Sequence, residues 1–202
     1  MPSKLLFLPG ATGNTALWQP VSGLLTHPAR KIHLGWPGFG PTPPDSAVRS
    51  FDDLVTRVVA QIDEPTALIA QSMGGVIALR TALEKPDLVT HLVLSVTSGG
   101  LDVNSLGAED WRPSFLKNNP NLPRWFAEHH EDLSARLPDI RIPTLLLWGG
   151  ADPISPVAVG QRLSALLPKA ELHVFSGGDH DLANTFAADV APLIDAHLRK
   201  TT

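Results

Sequence analysis

The segment Thr66-Ala-Leu-Ile-Ala-Gln-Ser72-Met-Gly-Gly-Val-Ile-Ala-Leu-Arg80 changes character at its midpoint. An apolar, β-prone run ends at Gln71-Ser72 and a helix-forming run begins at once, with Gly74 and Gly75 just behind the turn. A serine at such a strand-to-helix corner sits on a sharp, strained turn that lifts its hydroxyl clear of both elements. The start of the following helix aims backbone N–H groups and a partial positive charge at the space beside that hydroxyl. Small neighbours fit there because strand and helix pass close together.

Outward from this corner the same alternation recurs. Leu5 to Leu8 reads as a buried strand, followed by a loop of small residues, Pro9 to Asn14. Asn14 or Thr15 caps an expected helix through Trp18 to Leu25. Lys31 to Leu34 is a second short strand, ended by a Gly- and Pro-rich loop from Gly35 to Pro44. Ser50 to Ile62 is an amphipathic helix with Ser50 as N-cap and Asp52 and Asp53 in its first turn. Beyond the central corner come a strand within Leu88–Ser98 around the apolar run Leu92–Val96, a strand within Ile140–Trp148, a helix from Ser155 to Leu167, a strand from Ala170 to Phe175 and a helix from Leu182 to Leu198.

Short buried strands alternating with amphipathic helices predict a three-layer α/β/α sandwich around a mostly parallel sheet of about six strands. The length suits a single domain spanning residues 1–202, with one insertion at about 99–139 that is polar and broken by proline. In such a sheet functional loops gather at the carboxyl ends of strands. Pro9–Asn14, Ser72, Asp152 and His180 all lie at such ends.

Composition narrows the chemistry. A net charge of −4 argues against nucleic acid as a partner, because phosphate binding needs a basic face. No apolar run is long enough to span a membrane, and the residues before Leu5 are too few for a signal peptide, so a cytoplasmic address is expected. The absence of cysteine excludes disulfides and thiol nucleophiles. The adjacent pair His129-His130 diverges on a helix or strand, so no metal site and no cofactor is expected.

A serine hydroxyl is a poor nucleophile at neutral pH and needs a base within hydrogen-bond reach. Of the eight histidines, His27, His91, His129, His130 and His197 are read as lying on surfaces or helix ends, and His33 and His173 within strands. His180, in a loop beside Gly177 and Gly178, is the candidate base. Asp152, ending the strand before it and followed by Pro153, is the candidate orienting acid, with Asp102 as the rival. Asp179 and Asp181 are too close in sequence to reach the far ring nitrogen. Two N–H donors, those of Ala11 and Met73, are placed to form an oxyanion hole, worth about 2.7–4 kcal/mol per donor lost.

These motifs resemble those of the α/β-hydrolases. Leu8-Pro-Gly-Ala-Thr-Gly13 resembles the oxyanion loop, and Trp36-Pro-Gly-Phe-Gly40 the loop after the next strand. Ala70-Gln-Ser-Met-Gly74 resembles the G-x-S-x-G nucleophile elbow, with alanine at the first glycine. Gly149-Gly-Ala-Asp-Pro153 resembles the acid turn and Gly178-Asp-His180 the histidine loop. Relative to that pattern the first two strands are missing, and the lid is reduced to about 40 residues, Gly99 to Asp139.

The resemblance implies a serine hydrolase acting on a small-molecule carboxylic ester or thioester through Ser72, His180 and Asp152. Cofactor-free C–C hydrolysis or perhydrolysis on the same residues is the alternative, as is a non-catalytic binding module. Oligomeric state is left open. Trp111, Phe115, Trp125 and Trp36 are expected to line a small apolar acyl pocket suited to short chains.

Overall fold

The computed structural model describes residues 1–201. Six strands form one parallel sheet: β1 (Lys4–Leu8), β2 (Arg30–His33), β3 (Thr66–Gln71), β4 (Val89–Ser95), β5 (Thr144–Gly149) and β6 (Ala170–Phe175), in the order β2-β1-β3-β4-β5-β6. β1, β3 and β5 are buried along their whole length, as continuous apolar runs require when both faces of a sheet are covered. Registers such as Leu6 beside Leu68 and Leu68 beside Leu92 align the apolar positions across the central strands.

Alternate residues of each strand feed opposite faces. Leu6, Leu8, Leu68, Leu92, Leu94 and Leu146 form one core with α2 (Phe51–Val59), α3 (Met73–Glu84) and α6 (Val157–Leu166). Leu5, Phe7, Ile69, Val93, Leu145 and Leu147 form the other with α1 (Gln19–Leu24), α7 (Leu182–Thr185) and α8 (Ala187–His197). The chain is thus a three-layer α/β/α sandwich. β1 leads outward to β2, while β3 lies on its other side, so a crevice opens at the carboxyl ends of β1 and β3.

Element ends follow local chemistry. Ser50 caps α2, its hydroxyl accepting the Asp53 N–H at 3.2 Å. Two expected helices depart furthest from the sequence expectation. Asn14 turns the chain locally, its side chain accepting the Ala16 N–H at 3.0 Å, and α1 starts only at Gln19. The expected helix from Leu182 to Leu198 breaks at Phe186, whose ψ of 30° lies outside the helical range while its ring packs on Phe175.

Between β4 and β5 the chain crosses the carboxyl edge of the sheet with α4 (Arg112–Asn118), α5 (Trp125–Glu128) and two short 3₁₀ turns. Phe126 pins this segment from above, packing edge-on to Phe39 at 5.1 Å and against Trp111 and Phe115. Buried Leu133 and Leu137 secure its far end. No helix among the described residues is long and apolar enough to cross a membrane.

Candidate active site

Ser72 joins β3 to α3 with φ 52° and ψ −121°, a conformation that L-residues rarely adopt. Several contacts over-determine it. The Ser72 N–H donates to Ser95 O at 3.0 Å, and Ser72 O accepts from Gly75 N at 2.9 Å and from Thr97 Oγ1 at 2.7 Å. A Cβ at Gly74 would lie 2.5 Å from Pro9 O, and one at Gly75 would lie 2.5 Å from Thr97 Oγ1. These two glycines are therefore fixed by close approach. Ala70, where the elbow pattern has its first glycine, is fully buried in β3 and tolerates its methyl.

The loops after β5 and β6 are stitched to each other. Gly150 N donates to Phe175 O at 2.8 Å and Ala151 N to Gly178 O at 2.9 Å. Gly149 faces Gly178 so closely that any side chain there would meet its carbonyl. This brings Asp152 and His180 together although 28 residues separate them. Asp152 Oδ2 lies 2.7 Å from His180 Nδ1, and its other oxygen accepts the Ile154 N–H at 2.9 Å. His180 Nε2 lies 3.0 Å from Ser72 Oγ. The Asp152 side chain has no exposed surface, while that of His180 is 26% exposed. A buried carboxylate, an imidazole and a hydroxyl thus form one continuous chain opening to solvent at the serine.

Ala11 and Met73 stand beside Ser72 in the wall of the same cavity. Among the described residues neither N–H is taken by a protein acceptor. The loop carrying Ala11 is held from behind by two indoles. Trp36 Nε1 reaches Gly10 O at 3.0 Å and Pro9 O at 3.2 Å, and Trp18 Nε1 reaches Leu8 O at 3.1 Å.

Several expectations need correction. Trp36 is buried beneath the Pro9–Gly10 loop and does not line the cavity, because its indole N–H is committed to backbone carbonyls there. Trp125 packs edge-on against Phe39 at 5.8 Å and is likewise absent from the wall. Trp111 and Phe115 do line it. The cavity is not small: its volume is about 820 Å³, and acidic side chains form much of its rim. Asp102 lies on that rim, its carboxylate accepting Asn104 N at 3.1 Å rather than meeting His180. His27, His91 and His197 are buried rather than superficial: the end of α8 folds over β4, where His91 and His197 meet, and Asp195 of α8 accepts the His27 N–H.

Two site residues escaped the sequence reading. Gln71, buried at the end of β3, donates from Nε2 to His180 O at 3.0 Å and packs against Gly10, bridging the histidine and Pro9–Gly10 loops. Thr97 ties the Ser72 carbonyl to the chain leaving β4, and its own carbonyl accepts Ser155 Oγ at 3.2 Å. A small polar residue just past an apolar strand was the available signal for Thr97. The preceding Val96 has φ 42°, severe for a β-branched residue.

Comparisons agree with this architecture. The family model described as Alpha/beta hydrolase family matches residues 5–132, and the chain belongs to that family. A pimeloyl-[acyl-carrier protein] methyl ester esterase of Legionella pneumophila (strain Paris) is 26% identical over 81% of this chain and 82% of that protein. A 2-hydroxy-6-oxononadienedioate/2-hydroxy-6-oxononatrienedioate hydrolase of Burkholderia vietnamiensis is 27% identical over 85% of this chain and 77% of its own length. Among solved structures, MenH from S. aureus superposes with a TM-score of 0.80 at 20% identity, covering 98% of this chain and 94% of that one. A thermophilic esterase from Thermogutta terrifontis gives 0.77 at 19% identity, over 97% and 89%.

Proposed function

We propose that the chain is a serine hydrolase that cleaves a small carboxylic ester or thioester through an acyl-enzyme. The observation carrying this reading is the unbroken contact from Asp152 Oδ2 through the His180 ring to Ser72 Oγ, at 2.7 and 3.0 Å. Ser72 Oγ attacks the carbonyl carbon as His180 Nε2 takes its proton. Asp152 holds Nδ1–H and stabilises the imidazolium that forms. The developing oxyanion turns toward the N–H groups of Ala11 and Met73. His180 then protonates the departing alcohol or thiol, and water attacks the acyl-enzyme by the same steps in reverse. The whole chain acts as one hydrolase domain, with residues 99–139 as a short lid carrying Trp111 and Phe115 over the acyl group.

Hydrolysis of a C–C bond uses the same three residues, and the similarity to a dienedioate hydrolase raises it as the alternative. A dioate carries two carboxylates, whereas the cavity wall offers a single guanidinium, Arg112, already within 3.3 Å of Asp110. That difference favours the ester. The test is labelling with a fluorophosphonate followed by a panel of p-nitrophenyl esters of rising chain length. Labelling lost in Ser72→Ala together with ester turnover supports the proposal. A wild-type protein that fails to label indicates a binding module instead, and labelling without turnover of any ester points to C–C chemistry.

A further inference from the structure

The cavity over Ser72 has two unlike zones. Its walls near the serine are apolar, with Val76, Leu101, Trp111, Phe115 and Phe126. Its rim carries six carboxylates, those of Asp102, Glu109, Asp110, Glu131, Asp132 and Asp181, against one permanent cation, Arg112. That cation is already engaged on two of its nitrogens. Its Nε donates to Ala127 O at 2.9 Å, its Nη1 lies 3.3 Å from Asp110, and its Cζ sits over the Trp111 ring, 5.3 Å from the centroid. Glu131 is balanced from outside the cavity by Arg80 at 3.5 Å. Among the described residues Asp102, Glu109, Asp132 and Asp181 have no cationic partner within ion-pair range.

A cleft lined by one sign of charge above low-dielectric walls concentrates its field and raises or lowers the local concentration of a charged ligand. Ser72 and these carboxylates line one cavity of about 820 Å³, room for a substrate seated at Ser72 to extend past the apolar walls toward them. Resting on the ester-hydrolase reading, we infer that the site is a charge filter: it takes acyl groups that are neutral or cationic at the end remote from the scissile carbonyl and rejects those ending in a carboxylate.

Three p-nitrophenyl esters with the same six-carbon acyl chain test this: the hexanoate, the monoester of adipic acid and the 6-(trimethylammonio)hexanoate. At low salt kcat/KM is expected to fall in the order cationic, neutral, anionic, with the anion at least about 10-fold below the neutral ester. Raising the salt to about 1 M, where the screening length shrinks to about 3 Å, should close the gap. Replacing Asp102, Glu109 and Asp132 by Asn, Gln and Asn should raise the anion-to-neutral ratio by a comparable factor. An anionic ester cleaved as fast as the neutral one at low salt overturns the filter. Failure of the ester-hydrolase reading is separable from this. The three corresponding unreactive anilides, titrated calorimetrically into Ser72→Ala, need no turnover. The same order in Kd supports the filter, and an anionic anilide bound as tightly as the neutral one overturns it.

Discussion

His180 and His197 occupy opposite ends of the same sheet and differ in almost everything but their side chain. His180 rises from the carboxyl edge with a partner on each ring nitrogen, Asp152 on one side and Ser72 on the other, and opens to the cavity. His197 ends α8 beside the start of β4, is 2% exposed, and has no hydrogen-bond partner on either nitrogen among the described residues. Its ring stands edge-on to His91 at 5.4 Å. Burial first, and then the adjacent His91, hold His197 down to about pKa 4. On the proposed mechanism the first histidine passes a proton during turnover, while burial keeps the second neutral. A fixed partner on each nitrogen and access to solvent separate the two roles.

The largest effect that could break this contrast is on turnover. If His180 and Ser72 act as a unit, Ser72→Ala, His180→Ala and the double variant each lose on the order of 10⁴-fold or more in kcat, by similar amounts. Losses that multiplied in the double variant would show the two working independently. Asp152→Asn comes next, with kcat lowered by up to about 10⁴ because the amide favours the wrong tautomer of His180, while KM stays near wild type. Asp102→Asn, whose carboxylate caps Asn104 N, should leave kcat for a neutral ester close to wild type. The reverse ranking of these two acids would move the triad acid to the end of β4.

The two ends were not equally legible in the sequence. At the carboxyl edge each candidate side chain follows an apolar strand close to Gly or Pro, so Ser72, Asp152 and His180 could be placed at that edge from position alone, and the structure brings them into contact. The parallel sheet followed from the same alternation. The amino end carried no such punctuation. His91 lies inside the strand that begins at Val89, ahead of its apolar run Leu92–Val96, and the cover over it comes from a helix about 100 residues further on. Long-range cover of this kind leaves no local trace. The cavity wall was legible only in part. Trp111 and Phe115 share a helical face, as their spacing implies, but nothing in the spacing of Trp36 or Trp125 shows which side of a loop an indole will take. Trp36 turned inward because carbonyls at Pro9 and Gly10 could receive its N–H.

The amino end gives a prediction on stability. The folded pKa of His197 is lowered, so the unfolded chain binds protons more readily than the folded one below the ordinary value of 6.5. Its contribution is therefore complete above pH 6.5 and is lost as pH falls toward 4, by up to about 3 kcal/mol. His91 and His27, whose pKa values burial also lowers, act in the same direction. Asp195 caps the Thr26 and His27 N–H groups, and its lowered pKa places its own loss at more acid pH. Urea unfolding between pH 7.5 and 4 should show a steep fall for wild type and a shallower one for His197→Leu, which carries no proton. Parallel curves would mean that His197 titrates as freely as an exposed histidine, and the contrast with His180 would fail.

The smallest expected effect asks whether the carboxyl end is held by side chains or by backbone alone. Thr97 is buried, donates to Ser72 O at 2.7 Å, and accepts Gly99 N at 3.1 Å. A φ of 52° at a non-glycine residue costs about 1–3 kcal/mol and persists only where neighbours enforce it. Valine keeps the shape of threonine and its contact with Gly75 but leaves Ser72 O with only the Gly75 N–H. One hydrogen bond of this kind contributes about 0.5–1.5 kcal/mol, so the Ser72 hydroxyl should drift out of line for part of the time. Thr97→Val is therefore expected to lower kcat about 10-fold with KM unchanged, and to slow fluorophosphonate labelling in the same proportion. Thr97→Ser, which retains the donor, should restore both rates. A valine variant that labels at the wild-type rate would show that the Ser72–Ser95 backbone bond and the close approach of Gly74 to Pro9 hold the elbow on their own. A serine variant as slow as valine would assign the effect to packing against Gly75 rather than to the hydroxyl.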